Sequence, residues 1–177
     1  MQEWVYENDD ENLIRYVLGT VGDRTLLCFG VNPSTASPNN LDNTLKKVHK
    51  IALFNDYDSW IMFNVYPKRD TKFDNLPDVH NDEIHIKNIE KIKNYFNNTS
   101  TNNESEISVW LAFGNHIYER NYLPSCLKDI YNAIKDYNIS WLTSGLNKSG
   151  SPKHPLYQKD NTIFEEFKMD EYIVTLK

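Results

Sequence analysis

Several familiar signatures are missing from this chain, and each absence narrows what it can be. It has two cysteines, Cys28 and Cys126, and no Cys-x-x-Cys pair, so no disulfide framework is expected. Its five histidines (His49, His80, His85, His116, His154) show no His-Glu-x-x-His spacing, and no dedicated metal site is expected. There is no Gly-x-Gly-x-x-Gly, no Gly-x-x-x-x-Gly-Lys-Ser/Thr and no Gly-x-Ser-x-Gly. The commonest dinucleotide, P-loop and hydrolase readings fall away with them, and no cofactor is expected. No apolar run approaches membrane-spanning length, so no membrane partner is expected. The acidic amino end lacks the basic segment and apolar run of a signal peptide, which fits a cytoplasmic, reducing compartment. Basic charge is also short. Lys and Arg number 19 against 25 Asp and Glu, a net charge of -6 that counts against a non-specific DNA binder.

What is present is organised around Leu27-Cys28-Phe29-Gly30-Val31-Asn32-Pro33-Ser34-Thr35-Ala36. An apolar run ends abruptly in Asn-Pro-Ser, as a buried strand does when it delivers a polar group to a sheet edge. Pro33 fixes its own φ and pushes Asn32 out of the helical region. Cys28, inside the run, reads as a buried thiol.

The remaining pattern alternates strands and helices. Residues 1–10 are an acidic lead-in or an edge strand. Residues 13–18 and 24–31 read as strands joined by the turn at 19–23, which predicts a hairpin. Asp42-Asn43-Thr44 can cap a helix running to about 54, with Leu45, Val48, Ile51 and Ala52 at helical spacing. Residues 59–66 form a second buried strand, ending at Asn64-Val65-Tyr66-Pro67. A helix is expected over 81–96, and a flexible polar loop over 97–105. A strand at 107–113 ends in Gly114-Asn115, and helical segments lie on both sides of Pro124. Another strand at 139–143 leads into a Gly- and Pro-rich loop over 144–157, and a last strand is expected at 171–176. The chain length suits one domain over 1–177. Strands separated by helices predict an α/β fold with a mostly parallel sheet, which binds ligands beyond the carboxyl ends of its strands.

On that expectation Asn32, Asn64, Gly114 and His154 converge on one edge. An Asn amide can match the donor and acceptor edge of a base or orient a water. A His can donate to an oxygen that gains negative charge. Thirteen per cent aromatic content, with eleven Tyr, supplies residues able to stack on a flat ligand. The plainer alternatives stand beside these: Asn before Pro is a common turn device, and His154 can be a surface loop residue. Lys46, Lys47, Lys50, Lys68, Arg69, Lys72, Lys148 and Lys153 fall beside the motifs. They are a locally basic site or a scatter of solvated charges.

Arg15-Tyr16-Val17-Leu18, Phe29 to Ala36, Asp42 to Lys47, Asn64-Val65-Tyr66, Phe113-Gly114-Asn115 and His154-Pro155-Leu156-Tyr157 follow in order. This series resembles a bacterial and phage family known as domain of unknown function sixteen-forty-three. More remotely it resembles the uracil-DNA glycosylase superfamily, which has a Gly-x-Asn/Asp-Pro motif, an Asn at a following strand end and a late His-Pro or Asn-Pro motif. That resemblance implies a three-layer α/β/α sandwich around a short mostly parallel sheet. It implies catalytic roles for Asn32, which would position water, and His154, which would stabilise the leaving base. Asn64 would pair with the base edge. Pro33, Ser34, Tyr66, Gly114 and Tyr157 are the further substrate-binding candidates, and Lys46, Lys68, Arg69 and Lys153 the candidates for phosphate or DNA contact. The series departs from the superfamily in two places. The late motif continues Leu156-Tyr157-Gln158 in place of Ser-Pro/Gly-Leu-Ser, and the aromatic expected to stack on the base about a dozen residues after the first motif is replaced by Thr44.

Three functions are therefore weighed: a glycosylase-like enzyme acting on a base in DNA, a protein that binds or processes a free nucleobase or nucleotide, and a phage or host interaction module on the same fold. The expected partner is a nucleobase, nucleotide or DNA, with the oligomeric state open.

Overall fold

The computed structural model describes residues 2–99 and 106–177. The expected loop at 97–105 lies outside them from residue 100 onward. In chain order the strands are β1 (Trp4–Asn8), β2 (Arg15–Thr20), β3 (Thr25–Gly30), β4 (Ser59–Asn64), β5 (Ile107–Leu111), β6 (Ile139–Thr143) and β7 (Glu165–Glu166). The helices are α1 (Asn43–Phe54), α2 (Asp82–Thr99), α3 (Leu123–Ile134) and α4 (Met169–Ile173). One seven-stranded sheet runs in the order β1-β2-β4-β3-β5-β6-β7. The pairs β3–β4, β3–β5 and β5–β6 are parallel, while β1–β2, β2–β4 and β6–β7 are antiparallel. The sheet is thus mixed, a parallel centre with antiparallel flanks, rather than mostly parallel. No helix among the described residues is long and apolar enough to cross a membrane.

Alternation along β3 sorts the core into two faces, because successive side chains point to opposite sides of a sheet. Leu26 and Cys28 pack with Leu45, Val48, Ile51 and Ala52 of α1. Leu27 and Phe29 pack with Ile92 and Phe96 of α2 and with Leu123, Leu127 and Ile130 of α3. Helices therefore cover both faces. Each fully buried Leu or Phe contributes about 1.5–3 kcal/mol, so these two clusters carry the fold. Burial raises the pKa of the Cys28 thiol and pushes that of Cys126 up to about 12, so neither is poised as a nucleophile.

Four local expectations are corrected. The predicted hairpin between 13–18 and 24–31 does not form, because β4 is inserted between β2 and β3. The hairpin is instead β1–β2, with Trp4 opposite Thr20, and the acidic amino end supplies an edge strand. The expected strand at 171–176 is replaced by the helix α4. Met169, Tyr172, Ile173 and Leu176 are all buried, and their spacing of three and four residues is that of a helix face. Pro124 occupies the first turn of α3, where its missing N–H is harmless, and only a 3-10 turn (Gly114–Tyr118) lies upstream. The α1 cap is as expected, since the Asp42 carboxylate accepts the Leu45 N–H at 2.9 Å. Helix α2 continues through Thr99, so residues 97–99 are helical rather than loop.

The parallel registers pair Gly30 with Asn64, Phe29 with Leu111 and Trp110 with Leu142. They put the carboxyl ends of β3, β4, β5 and β6 on one edge. The insertion of β4 beside β2 depends on Gly19, which stands opposite Ile61. A Cβ there would lie 2.3 Å from the Trp60 carbonyl oxygen and 2.7 Å from the Ile61 Cα, backbone atoms that cannot turn aside. Gly19→Ala is expected to destabilise the protein by about 1–3 kcal/mol, read as a lower urea midpoint. An unchanged midpoint would show that β2 does not need this close approach.

Candidate functional site

The exits of β3 and β4 stay tied beyond the strands. Val65 N–H donates to Gly30 O and Tyr66 N–H to Val31 O, both at 2.9 Å. Asn32 then leaves the sheet with its amide fully committed on one side. Its Nδ2 donates to the Pro33 carbonyl at 3.2 Å and to the Asp70 carbonyl at 2.8 Å. Asp70 N–H returns a bond to Pro33 O at 2.8 Å. Two carbonyl acceptors fix which end of the amide is nitrogen. What Asn32 has left to offer is its Oδ1, an acceptor without a partner among the described residues.

A cleft of about 450 Å³ opens at this edge. Asn32, Ser34, Asn64, His154 and Tyr157 line it, so the structure brings these sequence-predicted residues together. Asn64 is 1% exposed, and its Nδ2 has no partner among the described residues. Gly30 makes room for that side chain, because a Cβ there would sit 3.1 Å from Asn64 Oδ1. Asn88 of α2 holds the Asn64 backbone from behind, donating to its carbonyl at 2.9 Å.

His154 enters over Gly114. The glycine has φ +62°, and a Cβ on it would meet the His154 Cβ at 3.0 Å. Both the backbone conformation and the space call for glycine. His154 Nδ1 accepts the Leu156 N–H at 3.3 Å, so the neutral ring carries its proton on Nε2. Burial, and next the neighbouring His116, lower its pKa to about 4 against a weaker opposing pull from Asp42. The ring is a neutral N–H donor at pH 7.

One wall is aromatic. Phe73 stacks on His116 at 4.7 Å between centroids and 24° between planes. His116 meets His154 edge-on at 5.5 Å, and Tyr157 follows at 6.0 Å from His154. Phe73 has φ +64°, a left-handed conformation that is unfavourable for a bulky residue. The loop around it is held from two directions. The Asp70 carboxylate accepts N–H groups from Lys72 (3.1 Å) and Asn75 (2.6 Å). Burial acts to raise the Asp70 pKa, but these backbone donors prevail and hold it below the ordinary carboxylate value. Arg120 donates from Nη2 to the Phe73 carbonyl at 2.6 Å and from Nε to the Leu76 carbonyl at 3.2 Å.

Other predicted residues stand apart from the cleft lining. Tyr66 is sealed in the core, its hydroxyl accepting the Asn81 N–H at 3.0 Å, and does not reach the cleft. Pro33 is buried under the loop, and Gly114 backs His154 from behind. Lys46 projects from α1 as an exposed residue, and neither Lys68 nor Lys153 lines the cleft. Arg69 does not line it either. It ties the first motif together, donating to the Ser34 carbonyl, to Ala36 O at 3.1 Å and to Tyr6 Oη at 2.8 Å.

Sequence reasoning missed Arg15, Asp42, Asp70, Phe73 and His116 as lining residues. Only Arg15 carried a local signal, a charge set in an apolar strand. Among the described residues no group of three or more His, Cys, Asp or Glu is placed to hold a metal ion.

A family model described as protein of unknown function (DUF1643) matches residues 15–156, and the chain belongs to that family. No match is found among the curated proteins, and none among the solved structures.

Two measurements follow from this geometry. The folded pKa of His154, about 4, lies below its ordinary 6.5. The unfolded chain therefore takes up the proton first. The stability that the neutral ring supplies is present above pH 6.5 and is lost as pH falls from 6.5 through about 4. In melting curves across that window, His154→Asn should lose less stability than the parent, with parallel curves at higher pH. Equal slopes in both would mean that His154 titrates normally. Arg120→Ala releases the Phe73 and Leu76 carbonyls, and amide exchange over 70–76 should accelerate about tenfold or more. Unchanged exchange there would show that Asp70 alone holds the loop.

Proposed function

We propose that the cleft recognises a nucleobase and that the protein hydrolyses the N-glycosidic bond of a base, plain or modified, in DNA, on a fold of the uracil-DNA glycosylase kind. The observation that carries this reading is the state of Asn32. Both of its N–H groups are spent on backbone carbonyls, so its Oδ1 is left to accept from a water. In the same cleft His154 offers Nε2–H, Asn64 a buried amide nitrogen without a partner among the described residues, and Phe73 and His116 a flat wall. That set suits a planar heterocycle that leaves as an anion. Helices on both faces of the sheet agree with the proposed fold.

In the reaction the bond between C1′ and the base nitrogen breaks, and its electron pair goes to the base. His154 Nε2–H donates to the base oxygen on which negative charge collects. Water held by Asn32 Oδ1 adds to the oxocarbenium carbon, its excess proton passes to solvent, and solvent protonates the departed base. A neutral imidazole suits this role because it donates without first having to be charged.

The test is incubation with single- and double-stranded DNA carrying uracil or modified bases, followed by detection of abasic sites. Abasic sites are expected for at least one base. His154→Ala should slow their formation by about 10²–10³-fold, and Asn32→Ala by about 10²-fold or more. A broad panel with no abasic sites would overturn the catalytic reading. A second reading, a protein that binds or processes a free base or nucleotide, is favoured by one observation. Lys46, Lys68, Arg69 and Lys153 all stand off the cleft lining of a chain with net charge -6. Under that reading a nucleotide raises the melting temperature while DNA stays intact.

A further inference from the structure

Arg15 is the least explained residue at the cleft. It opens β2, lines the cleft, and is 2% exposed. Among the described residues its only side-chain hydrogen bond is from Nη1 to the Ala36 carbonyl at 3.2 Å, and its buried Nε has no partner. No carboxylate lies within ion-pair distance of it among the described residues. A buried guanidinium without a counter-ion is costly, and proteins seldom keep one unless something else supplies the negative charge.

The surrounding charges sharpen the point. Arg69 reaches the same Ala36 carbonyl, so two guanidinium groups share one loop and repel each other. Burial and then Arg69 lower the Arg15 pKa to about 10, which still leaves it charged at neutral pH. Asp42 favours that charge from a distance, but one of its oxygens is engaged by the first turn of α1. The Asp70 carboxylate accepts from Lys72 and Asn75. His154 is neutral. Both acidic groups at the cleft thus have backbone donors, and the buried cation has no carboxylate partner among the described residues. The residues of the α1 amino end, Asn43 and Thr44, line the same cleft, where helix N–H groups favour an anion.

We propose that Arg15 is the anion-binding group of the cleft and that the ligand is a nucleotide, with phosphate oxygens on the Arg15 guanidinium and the base against Phe73 and His116. This rests on the nucleobase reading and adds the phosphate to it. An arginine fork matches two phosphate oxygens, which a lysine cannot do. The phosphate belongs either to a free mononucleotide or to a nucleotide within a single strand, and the same chemistry serves both.

The test is calorimetric titration with the four deoxynucleosides and deoxyuridine, each against its 5′-monophosphate, and with a short single-stranded oligonucleotide. For at least one base the monophosphate should bind about tenfold or more tightly than the nucleoside. In Arg15→Gln that ratio should fall towards one, and in Arg15→Lys it should be intermediate. Tighter binding of the oligonucleotide than of the mononucleotide assigns the phosphate to a strand, and the reverse assigns it to a free nucleotide. The wild-type ratio needs no variant, so misfolding of Arg15→Gln leaves the test intact. Equal binding of nucleoside and monophosphate, or an undiminished ratio in Arg15→Gln, overturns the role of Arg15 while the nucleobase reading stands. Binding of neither nucleosides nor monophosphates removes the nucleobase reading and this proposal together.

Discussion

Two strands leave the sheet side by side, β3 and β4, and their backbones remain hydrogen-bonded for two residues past the last ladder pair. Asn32 closes this seam by donating to the Pro33 and Asp70 carbonyls. The other site features hang from that closure. It anchors the start of the loop that carries Phe73, it sets the first motif where Arg15 and Arg69 can reach Ala36 O, and it leaves the Asn32 oxygen free. An amide that does structural work with its nitrogen and presents its oxygen is held more rigidly than one pinned by a single bond.

The electrostatics of the cleft are unusual for an acidic protein. His154 is kept neutral by burial, the acidic groups are satisfied by backbone donors, and the buried Arg15 has no carboxylate partner among the described residues. Low dielectric makes each of these arrangements more consequential than it would be in water. The strained Phe73 belongs to the same pattern. A left-handed phenylalanine persists only where the surroundings over-determine it, and here Asp70 and Arg120 do so from opposite ends of a short loop.

The strand exits were readable because they are local. An apolar run that stops at Asn-Pro, Asn-Val-Tyr-Pro or Phe-Gly-Asn marks the end of a buried strand whichever neighbour it takes. The α1 cap was readable for the same reason, since Asp42 bonds a donor three residues away. The strand order was not. Hydrophobic alternation in residues 13–18 and 24–31 is satisfied by a hairpin or by insertion of β4, and the choice lies with the Gly19 contact across 42 residues of sequence, from Gly19 to Ile61. At the carboxyl end a helix-spaced set, Met169, Tyr172, Ile173 and Leu176, was hidden by β-forming neighbours. Tyr66 illustrates the opposite error. Its place after Asn64 suggested the site, but the residue turns into the core between α2 and Tyr122.

By itself the sequence determined that this chain is an α/β protein with polar groups at strand ends, and it named Asn32, Asn64 and His154, because periodicity and chain-breaking residues act over a few positions. Tertiary structure alone decided what those groups are. It chose which end of the Asn32 amide faces the cleft, made His154 a neutral donor, supplied Phe73 and His116 as the flat wall, and buried Arg15 beside them with no carboxylate partner among the described residues. Each of these depends on contacts between segments far apart in the chain, where hydrogen-bond partners and desolvation are set by packing rather than by neighbours in sequence.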